Sequence, residues 1–333
     1  MKIVLDVFGG DNAPQEILNG AKAALEKESD FELVLCGKKD IIDAYIKENS
    51  LDETRITVLD ATEVITNDES PVDAVRNKPD SSIVKAYDYL NADSDAKAFV
   101  SAGSTGAVLT GAVLLLKRIK GINRPALSPV LPTVTDKNVL LIDCGANTEP
   151  KAINLVQFAK MGSAFMKCVY GVKSPKVGLL SNGTEDKKGN TLNKEAFPML
   201  QESGINFVGN MEARDILSGD YYVVVSDGFS GNIALKASEG TALGMFGLIK
   251  DGIMKGGLRA KLGYLLLKPV FKGVKKKMDY NDNGGAVLLG LQKIVVKSHG
   301  SSKAKAICNS ILQAKNMVDS GIIEKIGEEL SVK

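Results

Sequence analysis

The chain of 333 residues has no tryptophan, a single histidine and four scattered cysteines. One histidine excludes a metal site built on two. Cys36, Cys144, Cys168 and Cys308 show none of the CxxC spacing that zinc sites use. No metal and no organic cofactor is therefore expected. Widely spaced cysteines fit a reducing compartment, so a cytoplasmic protein is expected. Ten Phe and eight Tyr offer few platforms for stacking bases, and 42 Lys+Arg against 40 Asp+Glu leave a formal charge of only +2. No nucleic-acid partner is expected. The longest apolar run, residues 107–116, is interrupted by Thr110 and stopped by Lys117 and Arg118, short of the roughly 20 residues that a membrane span needs. The opening MKIVLDVFGG has too short an apolar run for a secretory signal. No GxGxxG, GxxxxGK[ST] or GxSxG motif occurs, so a standard dinucleotide site, a P-loop and a nucleophile elbow are all unsupported.

What is present is a regular alternation of short β-rich apolar runs with longer amphipathic ones. That rhythm belongs to βαβ units, and hence to a largely parallel sheet covered on both faces. Strands are expected over residues 3–7, 31–36, 56–59, 98–101, 139–143, 176–180 and 221–226. Helices are expected over 14–28, 40–49, 82–91, 105–118, 152–170 and 302–318, with Pro14 early in the first, where its missing N–H costs nothing. No repeat or linker interrupts the pattern, so residues 1–333 read as a single two-lobed α/β unit. One segment stands apart. From Gly252 to Met278 there are eight basic residues and no acidic one, which leaves the remainder of the chain net acidic. Within it Leu258, Leu262, Leu265 and Leu266 follow helical spacing until Pro269 breaks the run. Val270, Phe271, Val274 and Met278 make a second stripe. Residues 241–280 therefore read as a basic amphipathic helical projection. It suits an anionic membrane or an acidic partner, or else packs on the core or a second copy.

Five expected strands end in small polar turns containing glycine. These hold Gly10 and Asp11; Ser101, Gly103, Ser104 and Thr105; Cys144 and Asn147; Asn182, Lys187 and Lys188; and Asp227 and Asn232, with Lys236 one helical turn further on. In a parallel sheet the strand C-termini share one crevice, where free N–H groups, hydroxyls and amides can hold an anion. A phosphate-type site is the expectation. Asp6, Asp11, Asp143 and Asp227 sit at strand ends as helix caps or general bases. Cys144 reads as a small half-buried filler, with an acyl-accepting thiolate as the alternative. His299, in Lys297-Ser298-His299-Gly300, reads equally as a loop histidine bonded to backbone or as an anion or proton-transfer residue.

Read in order, these turns resemble the bacterial phosphate acyltransferase family nearly end to end. The resemblance rests on Gly9-Gly10-Asp11 with Ala13-Pro14, Ser101-Ala102-Gly103 with Thr105-Gly106-Ala107, Arg124-Pro125-Ala126-Leu127, and Asp143 with Gly145-Ala146-Asn147. It continues through Gln157-Phe158 with Met161-Gly162, Gly183-Thr184-Glu185 with Lys188-Gly189-Asn190, and Gly209-Asn210 with Arg214-Asp215. It ends with Asp227-Gly228-Phe229, Gly231-Asn232 and His299-Gly300-Ser301-Ser302. The family more often has Met and His where Phe8 and Asn12 stand, and Asn where Ser104 stands. The resemblance implies a three-layer α/β/α fold like the isocitrate and isopropylmalate dehydrogenases, with one mixed sheet shared by two lobes, and a homodimer. It implies transfer of a fatty acyl group from acyl carrier protein to inorganic phosphate, for phospholipid synthesis. It also implies contact with an anionic membrane and with a membrane glycerol-phosphate acyltransferase.

That chemistry suits the residues. A thioester is already activated and phosphate is itself a nucleophile, so the site needs positioning and oxyanion donors rather than a covalent intermediate. Lys188, Asn232 and His299 are the candidates for that role. Gly10, Asp11, Ser101, Gly103, Ser104, Thr105, Asn147, Asn182, Lys187, Asp227 and Lys236 are the candidates for holding phosphate and substrate. Two rival readings are a dehydrogenase on the same fold, for which no nucleotide fingerprint or acidic metal cluster is visible, and a non-catalytic membrane scaffold, which has no need of an anion crevice.

Overall fold

A computed structural model describes residues 1–277 and 284–331. Met278 and the end of the expected projection therefore lie outside the described residues. The first sheet takes its strands from both ends of the chain: β1 (Lys2–Asp6), β2 (Glu32–Gly37), β3 (Ile56–Asp60), β4 (Ala96–Ser101), β5 (Ala126–Ser128), β11 (Ala286–Leu289) and β12 (Ile294–Lys297). Their order is β3-β2-β1-β4-β12-β11-β5, parallel throughout except for β11, which runs antiparallel to both its neighbours. The second sheet holds β6 (Val130–Pro132), β7 (Asn138–Ile142), β8 (Val177–Ser181), β9 (Phe207–Glu212) and β10 (Val223–Val225). Its order is β6-β7-β10-β8-β9, with only β6 antiparallel.

The single mixed sheet expected from the resemblance is thus divided in two, and the reason is local. β5 and β6 are consecutive, separated by Pro129, which has no N–H to continue a ladder. The division is not a gap. The Leu141 N–H donates to the Pro129 carbonyl (3.1 Å) and the Cys144 N–H to that of Leu127 (3.0 Å), so the segment 126–132 serves both lobes.

Helices α1 (Gln15–Lys27), α2 (Lys39–Glu48), α3 (Pro71–Asn77), α4 (Ser82–Ala92), α5 (Thr105–Leu115), α6 (Ala152–Tyr170), α7 (Thr191–Gln201), α8 (Gly228–Lys255), α9 (Gly257–Lys277), α10 (Ala304–Asp319) and α11 (Ile322–Ser331) complete the chain. Strand residues alternate between two cores, as a pleated strand requires. Ile3, Leu5, Leu33 and Leu35 join Ile17, Leu18, Ile307 and Ile311 of α1 and α10 on one face. Val4, Val34 and Phe99 join Ile83, Tyr87 and Val108 of α4 and α5 on the other. Residues of the second sheet enter the same two clusters, which gives three α/β/α layers. α6 ends where Gly171 takes the left-handed conformation (φ 67°) that glycine adopts without strain.

The basic projection is two helices that meet at Gly256 and Gly257 rather than at Pro269. α8 begins at Gly228, well before the apolar spacing signals it, and α9 follows after a turn at Gly256 and Gly257. The expected break at Pro269 does not occur, since α9 continues through it to Lys277. Along an exposed helix the carbonyl that Pro269 leaves without a donor is open to water, which reduces the cost of proline there. From Gly240 to the end of α9 no described side chain is buried, and Leu258 and Leu266 are 87% and 77% exposed.

Phe158 on α6 is fully buried in the core that spans both sheets. Phe158→Ala is expected to cost about 3–5 kcal/mol of unfolding free energy, measured as a lowered denaturation midpoint with an unchanged slope.

Candidate functional site

Three turns of the first sheet are bonded into one wall. The Ser101 hydroxyl donates to the buried Asp6 carboxylate (2.6 Å) and accepts from the Gly103 N–H (2.9 Å), while the Phe8 N–H also donates to Asp6 (3.2 Å). The Asp11 N–H donates to the Gly300 carbonyl (2.8 Å), and the Asn12 side-chain amide to that of Ser301 (3.0 Å). Gly10 makes the bend at φ 100°, where a side chain would be strained and would also press on Ala102 and the Gly300 carbonyl. Ser104 caps α5, accepting from the Ala107 N–H (3.5 Å), and so sets Thr105 at the first turn.

The opposite wall is built on Asp143. Its carboxylate is buried and accepts from the N–H groups of Leu127 (2.9 Å), Ala146 (3.1 Å) and Asn147 (2.6 Å) and from the Asn147 amide (2.9 Å). Burial raises its pKa, while those donors favour the charged form. The Asn147 carbonyl accepts from the Gly228 N–H (2.6 Å), and Asp227 caps α8 by accepting from Phe229 (3.0 Å) and Ser230 (2.8 Å). Asp227 therefore caps a helix, as expected, whereas Asp143 holds the backbone of the crossing segment and the β7–α6 turn without capping a helix.

Between the walls lies a cleft of about 390 Å³. Of the residues expected from sequence, it brings together Thr105, Asn232, Lys236 and His299. Asn232, Lys236 and Glu239 lie on one face of α8, and Lys236 forms a salt bridge with Glu239 (2.8 Å). Gly10, Asp11, Ser101, Gly103 and Ser104 belong to the turns of the first wall, and Asn147 and Asp227 to those of the second, without lining the cleft. Asn182, Lys187 and Lys188 do not line the cleft. They lie exposed on the β8–α7 turn, which Asn182 closes by accepting from the Gly189 N–H (2.9 Å). That turn adjoins the start of α8, because β8 pairs with β10.

The His299 ring accepts at Nδ1 from the Ser301 N–H (3.2 Å), so the neutral ring carries its proton on Nε2. Burial, together with the charges of Lys236 and Lys297, holds its pKa below the ordinary histidine value. Burial pushes the Cys144 thiol well above its ordinary range, with the nearby Asp143 charge adding to the effect. Cys144 lines the cleft, and its raised pKa favours the thiol over the thiolate that a nucleophile needs. No group of three or more His, Cys, Asp or Glu suited to a metal occurs among the described residues.

Comparison with known proteins decides the family. The model for "Fatty acid synthesis protein" matches residues 1–325. A protein of Clostridium novyi (strain NT) called "Phosphate acyltransferase" is 47% identical over 335 residues, covering 100% of this chain and 99% of its own. Its namesake in Thermoanaerobacter pseudethanolicus is 47% identical over 339 residues, covering 100% of both chains. The chain belongs to the phosphate acyltransferase family. The expectation of an acyl-transferring enzyme of lipid synthesis is borne out at that level. Among solved structures, a phosphotransacetylase from Streptococcus pyogenes superimposes with a TM-score of 0.60 at 18% identity, over 96% of this chain and 94% of the other. A putative 4-hydroxythreonine-4-phosphate dehydrogenase from Salmonella typhimurium gives 0.50 at 14% identity, over 95% and 99%. At such identities the likeness is one of fold, and it places this family member among dehydrogenase-like α/β/α proteins.

Two charged lining residues of this phosphate acyltransferase family member were not among those expected, Glu239 and Lys297. Lys297 is 7% exposed at the end of β12. Burial brings its pKa down to about 8, against the raising effect of Asp6 and Asp11. Its sequence signal is a lysine that closes the β-branched run Ile294-Val295-Val296 immediately before a Ser/Gly loop.

The cleft depends on α8 lying close to β7. A Cβ at Gly231 would come within 2.0 Å of the Asp143 carbonyl oxygen, a backbone atom that cannot turn aside. Gly231→Ala is therefore expected to cost about 1–3 kcal/mol and to displace Asn232 and Lys236. A lowered melting temperature together with turnover reduced beyond what the loss of folded protein explains would show this.

Proposed function

We propose that this chain moves a fatty acyl group from acyl carrier protein onto inorganic phosphate. The observation that carries this reading is the cleft itself, where amide, imidazole and ammonium donors from both lobes surround a cysteine that stays protonated. A phosphate oxygen attacks the thioester carbonyl carbon. The C–O bond forms, the carbonyl oxygen takes the negative charge, and collapse breaks the C–S bond to release the carrier thiolate, which then takes up a proton. The residues needed are donors placed where charge develops. Asn232 and the Nε2–H of His299 serve the oxyanion. Thr105, at the N-terminus of α5, and Lys236 serve the phosphate. Lys188 acts from the adjacent β8–α7 turn, on a stem long enough to bring its charge inward.

The long α8–α9 projection carries the product to lipid. Its exposed leucines include Leu258, Leu262, Leu265 and Leu266, while Phe271 is half-buried against Tyr264, and its described lysines are exposed. A basic helix on an anionic surface gains about 1 kcal/mol for each nearby Lys or Arg. An acyl phosphate tail gains about 0.8 kcal/mol per CH₂ withdrawn from water, so release at a membrane, toward a glycerol-phosphate acyltransferase there, avoids exposing the chain. No helix among the described residues is long and apolar enough to cross a membrane, so the contact proposed is peripheral. The working unit in this reading is a homodimer.

Incubation with long-chain acyl carrier protein and phosphate should give an acyl phosphate that hydroxylamine traps, with the same yield after EDTA treatment. Asn232→Ala and Lys188→Ala should each lower turnover at least about tenfold, whereas Cys144→Ala stays within a few-fold. A stable acyl-enzyme by mass spectrometry would contradict direct attack by phosphate. Separately, Leu266→Glu should weaken sedimentation with anionic liposomes while acyl transfer in solution stays within a few-fold. Equal binding by the variant and the parent protein would reject the membrane role.

A further inference from the structure

Lys297 is buried like a core residue yet lines the cleft. It closes β12, in register with Ser101 of β4 and Ala286 of β11, so its backbone is fixed on both sides. Its ammonium donates to the Ser298 carbonyl, and among the described residues it forms no salt bridge with a carboxylate. An ammonium has three N–H donors. A desolvated cation left with unmatched donors is costly unless an anion reaches it.

The charged groups around it leave that position to a ligand. Asp6, at the end of β1 on the far side of β4, is committed to the Ser101 hydroxyl and the Phe8 N–H. Asp11, on the β1–α1 turn, and Asp6 both act on Lys297 through their charge but not by direct contact. Across the cleft on α8, Lys236 repels Lys297 and is itself paired with Glu239. His299, two residues along, is neutral when its Nδ1 accepts from Ser301. Lys297 is thus the fixed positive charge of the cleft, while the net charge of the opposite wall is largely cancelled.

Resting on the acyl-transfer reading above, we propose that Lys297 is the residue that binds the phosphate dianion, and that its charge sets the affinity for phosphate. Lys236 is then a secondary contact. Because burial places the Lys297 pKa near 8, its charge is complete below that pH and is lost as pH rises through it. Bound phosphate moves that point upward, so saturating phosphate protects against the loss.

The test measures phosphate binding calorimetrically without an acyl donor, and KM for phosphate and kcat with one. Lys297→Met should raise both Kd and KM for phosphate by about 10- to 100-fold, the range for losing a hydrogen bond to a charged group, with a smaller change in KM for the acyl donor. In the parent protein, KM for phosphate should climb between about pH 7 and 9 (roughly one unit either side of the Lys297 pKa). In Lys297→Arg it should stay level, because guanidinium remains charged. If Lys297→Met fails to fold, the comparison of parent and Arg variant still decides. Unchanged phosphate affinity in folded Lys297→Met, or parallel pH profiles for parent and Arg variant, would overturn the proposal. Lys297-dependent phosphate binding in a protein that makes no acyl phosphate would uphold this site and overturn the acyl-transfer reading instead.

Discussion

The buried carboxylate of Asp143 accepts four hydrogen bonds, and the cleft exists because of where they come from. One donor is Leu127, on the segment shared by the two lobes; the others belong to the β7–α6 turn. Through the Asn147 carbonyl the same turn holds the first residue of α8. A single charge thus fixes the crossing segment, the second wall and the helix that presents Asn232. Removing such a charge would leave several buried N–H groups without partners, each a cost of about 1–3 kcal/mol. The absence of a side chain at Gly231 then allows α8 to approach the strand end closely.

The first wall uses the same physics in another form. Asp6 and Ser101 hold neighbouring turns together out of water, and the Asp11 and Asn12 donors hold the His299–Ser302 loop from behind. Neither wall spends its aspartates on substrate. The carboxylates of Asp6, Asp143 and Asp227 hold backbone in place so that an imidazole, an amide and ammonium groups face one space. This division of labour suits a reaction whose reactants are already activated, in which catalysis is positioning and preorganised charge. Burial beside Asp143 also favours the thiol form of the cysteine in the cleft.

The α8–α9 projection follows a different rule. From Gly240 onward most of its large apolar residues are exposed, which a helix packed on its own core would not show. Its far end returns to the body, where Lys277 pairs with Asp136 (2.9 Å). The projection and the cleft share α8, so the helix that lines the proposed chemistry also reaches the surface proposed to meet lipid.

Strong periodicity was enough for the sequence to locate the parallel strands β1 to β4 and β7, and helices such as α6, whose bounds coincide with its apolar pattern. The glycine-containing turns were legible too, because backbone bends and helix caps leave local signatures at Gly10, Ser104 and Asp227. β5, β6, β11 and β12 were not legible. They are three or four residues long; β6 pairs only with the adjacent β7, while β5, β11 and β12 depend on strands far away in the chain. That non-local pairing decided the rest. It split the expected single sheet at Pro129 and brought His299 to Asn232. It also buried Lys297 while leaving Lys187 and Lys188 exposed on a turn. In the sequence these lysines are the same residue type near the same kinds of glycine and serine. Burial distinguishes them, and burial depends on which strands lie on either side.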